Sequence, residues 1–169
     1  MKPSFSADAV FFDLDGTLVD SVPDLAGAAR LMLAELGEPG RSDEEVASFV
    51  GKGIPVLVER LLCVGRSPQT PERIALGIQA FMRHYETTNG QLTVVYPGVL
   101  EALEILRGRG LKMACVTNKA ETFVSPLLEK LDLLRFMDRI VGGDTLPKKK
   151  PDPEPLWHAC EQLGVSREI

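Results

Sequence analysis

Cysteine and histidine are scarce in this 169-residue chain, and their placement excludes two kinds of stabilised structure. The three cysteines, Cys63, Cys115 and Cys160, are odd in number and far apart, and there are only two histidines. Such a set is typical of neither a disulfide framework nor a zinc site. We therefore expect a reduced, cytoplasmic protein.

Long apolar runs and dense positive charge are also missing. No window approaches the roughly 18 apolar residues of a membrane span, and MKPSFSADAV at the start lacks the apolar stretch of a secretory signal. Nineteen basic against 24 acidic residues give a formal net charge of −5, and the longest basic run is the lysines at 148–150. We therefore expect a partner that is neither nucleic acid nor a membrane.

The residues that are present predict an α/β protein. Hydrophobic residues make up 44% of the chain, enough for a core. Residues 9–14, AVFFDL, are almost continuously apolar, which is typical of a parallel strand buried on both faces. After residue 96, helical patterns alternate with the strand-like LKMACVTN and DRIVGGD. This alternation predicts a Rossmann-like parallel sheet covered by helices.

Between the first strand and this alternating region lie four helical patterns and no clear strand. Ser42 and Glu45 have the spacing of a capping box, and Thr70 followed by proline marks another helix start. The pattern predicts an inserted all-helical cap domain with hinges on either side. The predicted division is a cap at 18–88, a core at 1–17 and 89–169, and hinges near 17–21 and 86–96.

Polar side chains follow the predicted strands at their carboxyl ends, where open parallel sheets bind ligands. Asp13 and Asp15 follow the first strand, Thr117 and Asn118 follow the second, and Lys150 lies in the loop after the third. Phosphoryl transfer would use such a set, with Asp13 as nucleophile, Asp15 as proton donor, and Thr117 and Lys150 around the phosphate. Two carboxylates would repel a phosphate dianion, so the prediction includes Mg²⁺.

Several alternatives share parts of this pattern. An aspartate pair, a Thr-Asn pair or a lysine run, taken singly, is common in surface turns. A dehalogenase would also use Asp13 but needs neither Asp15 nor Mg²⁺, and a dinucleotide-binding protein needs a GxGxxG that is not found after the first strand. A sugar-phosphate phosphatase, a phosphomutase and a non-catalytic chain that keeps the fold remain open.

The same residues carry a family resemblance. FDLDGTLVDS, VTNK and GGDTLPKKKPDPEPL resemble the first three motifs of haloacid dehalogenase-like phosphatases, and the resemblance extends over the whole chain. It implies that Asp13 is the nucleophile and a metal ligand. It implies that Asp15 is the general acid and base and gives its backbone carbonyl to Mg²⁺. Thr117, Asn118 and Lys150 would then bind the phosphoryl group.

Within the family, the sequence is most similar to bacterial members that hydrolyse 2-phosphoglycolate, so the resemblance implies a small phosphorylated substrate. The loop VGKGIP resembles the substrate loop of that group. It implies that Lys52 or the neighbouring amides contact the substrate carboxylate, while an exposed lysine at a helix end explains Lys52 equally well.

The family's fourth motif is a strand ending in acidic residues that complete the Mg²⁺ site, and LGVSREI stands where that strand should begin. A chain that stopped there would be expected to bind Mg²⁺ weakly. It would also expose AVFFDL as an apolar sheet edge, which favours self-pairing. We expect a monomer or a homodimer, with association through this edge as one route.

Overall fold

The structure is a computed structural model that describes residues 7–64 and 68–167. The predictions for the first six residues and the last two lie outside these ranges. The α-helices are α1 (Val22–Glu35), α2 (Asp43–Phe49), α3 (Ile54–Cys63), α4 (Pro71–Thr88), α5 (Val99–Gly108), α6 (Glu121–Lys130) and α7 (Glu154–Leu163). The strands are β1 (Ala9–Phe12), β2 (Val19–Asp20), β3 (Val94–Val95), β4 (Lys112–Val116) and β5 (Arg139–Val141).

A parallel sheet with the order β1-β4-β5 forms the centre of the α/β part. The register places Phe12 beside Cys115 and Val116 beside Val141. Apolar side chains of α5 and α6 cover one face of this sheet, and those of α7 cover the other. The predicted α/β fold with a parallel sheet is therefore confirmed. Because the strands are parallel, their carboxyl ends lie together at one edge of the molecule.

β1 is less buried than its apolar sequence predicts. All four of its residues are only partly buried, whereas Met113 to Val116 of β4 are fully buried. β1 is only partly buried because, among the described residues, it pairs with β4 alone and is an edge strand. An apolar pattern does not distinguish an edge strand from a central one. Self-association through this edge remains a prediction.

The helices α1 to α4, which we call the helical insert, pack around an apolar core that Phe123 of α6 also joins. The predicted start signals act as expected. Ser42 and Glu45 form a capping box at α2, and the Thr70 hydroxyl accepts a hydrogen bond from the backbone of Arg73 at α4. Within the described residues, no helix combines the length and apolarity needed to cross a bilayer.

A short antiparallel pair marks where the chain enters and leaves the helical insert. β2 pairs with β3, with Val19 opposite Val95. β2 lies inside the predicted cap range, while β3 lies in the predicted core, so this pair joins the two regions. Their division into two separate domains remains a prediction.

Candidate active site

A tight turn after β1 places two aspartates at the sheet edge. Leu14 between them is fully buried, and its carbonyl accepts hydrogen bonds from the backbone N–H groups of Thr17 and Leu18. Gly16 in this turn has a φ of 80°, a value that favours glycine. Asp13 and Asp15, on either side of the buried leucine, both line one pocket.

Asp13 is held by groups of the α/β part. Its Oδ1 accepts a hydrogen bond from the Leu14 backbone at 2.8 Å and lies 3.0 Å from the Lys150 ammonium. Lys150 also donates to the Val116 carbonyl at 2.7 Å, which fixes its position at the end of β4. The Asp13 side chain is 41% exposed. Both of these contacts use Oδ1, so Oδ2 takes no part in them.

Asp15 contacts the helical insert and a buried lysine. Its Oδ1 accepts from the Ser21 hydroxyl at 2.5 Å and from the Lys119 ammonium at 3.2 Å. Ser21 is the N-cap residue of α1, yet its side chain makes no cap bond. Its hydroxyl instead donates to Asp15, whose side chain is 13% exposed.

Tyr85 of α4 completes the surroundings of Lys119. The ammonium donates to the Tyr85 hydroxyl and lies 4.6 Å from the centre of the ring. Burial, with smaller contributions from Asp15 and Asp24, raises the pKa of the Tyr85 phenol well above its ordinary value. The phenol is therefore neutral at physiological pH and can accept this bond.

Thr117 and Asn118 follow β4, as predicted, and both line the pocket. Thr117 is buried, and its Oγ1 accepts from the Lys119 backbone at 3.2 Å, which leaves its hydroxyl hydrogen available as a donor. The Asn118 amide nitrogen donates to the carbonyls of Gly51, at 2.9 Å, and Lys150, at 3.0 Å. Asn118 thus ties the loop before α3 to the loop after β5.

The structure brings most predicted site residues together. The two aspartates, Thr117 and Asn118 share the pocket, and Lys150 contacts Asp13. Lys52 is exposed and does not line the pocket, although its neighbours Gly51 and Gly53 do.

Three further residues at the site were not predicted: Ser21, Tyr85 and Lys119. For Lys119 a sequence signal did exist, because this lysine directly follows the Thr-Asn pair at the end of a buried strand.

The oxygens at this site fit part of a magnesium coordination shell. Mg²⁺ binds through one or two carboxylates and is completed by water and substrate phosphate. The Asp13 carboxylate and the Asp15 backbone carbonyl supply oxygens of this kind. Among the described residues, no group of three or more acidic, histidine or cysteine side chains could hold a metal ion. The described residues thus supply two oxygens for such an ion and not its complete shell.

A cysteine beside the site is unsuited to act as the nucleophile. Cys115 lies on β4 in register with Phe12. Burial, together with the negative charges of Asp13 and Asp15, raises the pKa of its thiol to about 12. Because the thiolate is the reactive form, this side chain is inert at neutral pH.

Comparison with known proteins shows the family to which this site belongs. Residues 10–169 match the family model of haloacid dehalogenase-like hydrolases. The chain therefore belongs to the haloacid dehalogenase-like hydrolase family, which confirms the resemblance inferred from the motifs.

Two relatives in this family are identical to the chain at about half of the aligned positions. It is 51% identical over 158 residues to phosphoglycolate phosphatase of Pseudomonas savastanoi pv. phaseolicola, covering 92% of this chain and 58% of that protein. It is 50% identical over 159 residues to phosphoglycolate phosphatase of Nitrosospira multiformis, covering 93% of this chain and 70% of that protein. The crystal structure of a predicted phosphoglycolate phosphatase from Haemophilus somnus matches with a TM-score of 0.86 at 31% identity. The match covers 94% of this chain and 72% of that one. The chain thus spans little more than half the length of the Pseudomonas relative.

Proposed function

We propose that this protein is a Mg²⁺-dependent phosphatase that hydrolyses 2-phosphoglycolate to glycolate and phosphate. The observation that carries the proposal is the placement of Asp13 and Asp15 in one pocket with Thr117, while Lys150 contacts Asp13. The relatives named phosphoglycolate phosphatase support the choice of substrate.

The proposed reaction has two steps, each with a role for both aspartates. In the first, an Asp13 carboxylate oxygen attacks phosphorus, the ester P–O bond breaks, and Asp15 gives a proton to the leaving glycolate oxygen. In the second, a water molecule attacks the phosphorus of the acyl phosphate on Asp13. Asp15 takes the proton of that water, phosphate leaves, and both carboxyl groups return to their first state.

Other side chains would hold the phosphoryl group during these steps. The Lys150 ammonium, 3.0 Å from Asp13, supplies positive charge beside the nucleophile. The Thr117 hydroxyl can donate to a phosphate oxygen. A Mg²⁺ ion, held by the Asp13 carboxylate and the Asp15 carbonyl, would neutralise charge on the phosphate.

The loop before α3 supplies the proposed contact with the rest of the substrate. Gly51 and Gly53 line the pocket, whereas Lys52 is exposed outside it. The backbone of this loop is therefore better placed than the Lys52 ammonium to meet a bound substrate. Asn118 fixes the loop by its bond to the Gly51 carbonyl.

The test is phosphate release from 2-phosphoglycolate, with and without Mg²⁺, by the native chain and by Asp13→Asn. The amide preserves the shape of the side chain but removes the nucleophile, so we expect a loss of at least about a thousand-fold. Asp8→Asn is the matched control, because Asp8 is exposed and outside the pocket. Its activity should equal that of the native chain.

Three results would contradict the proposal: equal activity of Asp13→Asn and the native chain, activity that is independent of Mg²⁺, or no release by a folded native chain. Turnover that requires a sugar bisphosphate would instead identify a phosphomutase.

A further inference from the structure

Lys119 is a buried cation whose hydrogen-bonding capacity is not fully used. Its side chain is 3% exposed, and a buried ammonium is costly without partners. In the described part of the chain, its hydrogen-bond acceptors are the Asp15 carboxylate and the Tyr85 hydroxyl. An ammonium has three N–H donors, so one remains for a group that enters the pocket.

The position of Lys119 is on the side of the pocket where a leaving group would lie. Lys150 contacts Asp13, the proposed nucleophile, whereas Lys119 contacts Asp15, the proposed proton donor to the leaving oxygen. Its other partner, Tyr85, belongs to the helical insert. The part of a substrate that is attached to the ester oxygen would therefore come close to the Lys119 ammonium.

The rest of this side of the pocket is apolar. Leu25, Val50, Ile54 and Leu57 contribute its lining from the helical insert. Among the described residues that line the pocket, Lys119 is the single cationic side chain. Apolar walls with one ammonium suit a short leaving group with one negative charge. They do not supply the several polar partners that the hydroxyl groups of a sugar require.

We infer that Lys119 binds the carboxylate of the substrate, so that it sets the preference for phosphate esters of short hydroxy acids over esters with a neutral leaving group. The inference rests on the proposed phosphatase function. The two acceptors of the Lys119 ammonium, Asp15 and Tyr85, leave one of its three N–H donors for the substrate. A competing explanation is that Lys119 does no more than position Asp15.

The experiment compares two substrates of similar size, 2-phosphoglycolate and ethyl phosphate, whose leaving groups differ by the carboxylate. Lys119→Met removes the charge at similar length, and Lys119→Gln is a second variant that keeps a donor. We expect the ratio of kcat/KM for 2-phosphoglycolate to that for ethyl phosphate to fall about 10- to 100-fold in both variants, mainly through KM. Lys148→Met is the control for net charge, because Lys148 is exposed and pairs with Asp152 and Glu154. This control should leave the ratio unchanged.

Equal losses for the two substrates would overturn the inference, because Lys119 would then act through Asp15 alone. Unchanged activity of a folded Lys119→Met protein would overturn it as well.

Calorimetric binding to the Asp13→Asn protein separates this inference from the proposed function. Lys119→Met in that background should weaken binding of 2-phosphoglycolate by at least about 10-fold and that of ethyl phosphate much less. Equal weakening, or none, would overturn the inference. If the native chain released no phosphate from either ester, the proposed function would fail, and this binding comparison alone would decide the role of Lys119.

Discussion

Replacing Asp24 should destabilise the junction between the helical insert and the α/β part. Asp24 lies in the first turn of α1 and is 1% exposed. Its Oδ2 accepts from the backbone of Gly90, at 2.8 Å, and from both the backbone and the hydroxyl of Thr93, at 3.0 and 2.5 Å. Its Oδ1 accepts from the backbone of Leu92 at 2.8 Å. One carboxylate thus holds the whole segment by which the chain returns from α4 to β3.

The magnitude follows from the donors that each substitution leaves without an acceptor. Asp24→Ala removes all four bonds and leaves three backbone N–H groups and a hydroxyl without this acceptor. At about 1–3 kcal/mol for each buried donor that finds no other partner, the cost should be at least about 3 kcal/mol. In Asp24→Asn the amide oxygen can replace Oδ2, but the amide nitrogen then faces the Leu92 N–H, donor against donor. One unsatisfied buried donor costs about 1–3 kcal/mol, so we expect about 2 kcal/mol. For a chain of this size that lowers Tm by about 4–8 °C.

Equilibrium urea unfolding measures these changes, and Asp43→Asn provides a matched control. Asp43 is also in the first turn of a helix, but its pair with Arg30 is about half exposed on both sides, so its loss should cost at most about 1 kcal/mol. Hydrogen exchange provides a local check, because the amides of Gly90, Leu92 and Thr93 should lose protection in both Asp24 variants. If Asp24→Asn were no less stable than Asp43→Asn, the reasoning would be refuted.

Two further predictions concern Gly143, which follows β5, and Cys115 of β4. A Cβ at Gly143 would lie 2.1 Å from the Asn118 backbone carbonyl oxygen, whereas one at Gly108 meets nothing within 4 Å. Gly143→Ala should therefore lower the free energy of unfolding in urea by about 3 kcal/mol or more and reduce phosphatase activity. A cost as small as that of Gly108→Ala would contradict this prediction. Burial raises the pKa of the Cys115 thiol from 9.0 to about 12, so the folded protein keeps a proton that the unfolded chain loses, and stability should fall as the pH rises from 9 towards 12. At pH 8 a thiol reagent should label Cys63, which is partly exposed, well before Cys115, and equal labelling rates would show that Cys115 is not buried as described.

The parts of the site that could be predicted are those that depend on strand direction. A parallel sheet brings the carboxyl ends of β1 and β4 together whatever the connecting chain does. Asp13, Asp15 and Thr117 could therefore be assigned to one pocket from their positions after apolar runs. The expectation that AVFFDL is buried on both faces was not met, because among the described residues β1 pairs with β4 alone, the edge position expected for this segment where no further strand pairs with it.

The contacts that could not be predicted join residues far apart in the chain without a strand rule to relate them. Lys119 and Asp15 are 104 positions apart, and Asp24 and Thr93 are 69 apart. Tyr85 lies on the buried face of α4, but the helical period gives no sign that its hydroxyl meets an ammonium. Such pairings depend on how the helical insert is placed on the sheet, and that placement is set by side-chain packing.

The contacts of the two aspartates divide between the two parts of the fold. Asp13 is held by Leu14 and Lys150, which belong to the α/β part. Asp15 is held by Ser21 at the start of α1 and by Lys119. Lys119 in turn contacts Tyr85 of α4, so the contacts of Asp15 connect it to the first and last helices of the insert.

A displacement of the helical insert would thus change the surroundings of the proposed acid and base while leaving the contacts of the proposed nucleophile in place. The Asp24 contacts act on the same junction, so the Asp24 variants should lower kcat, which depends on Asp15 in both steps, more than they weaken phosphate binding.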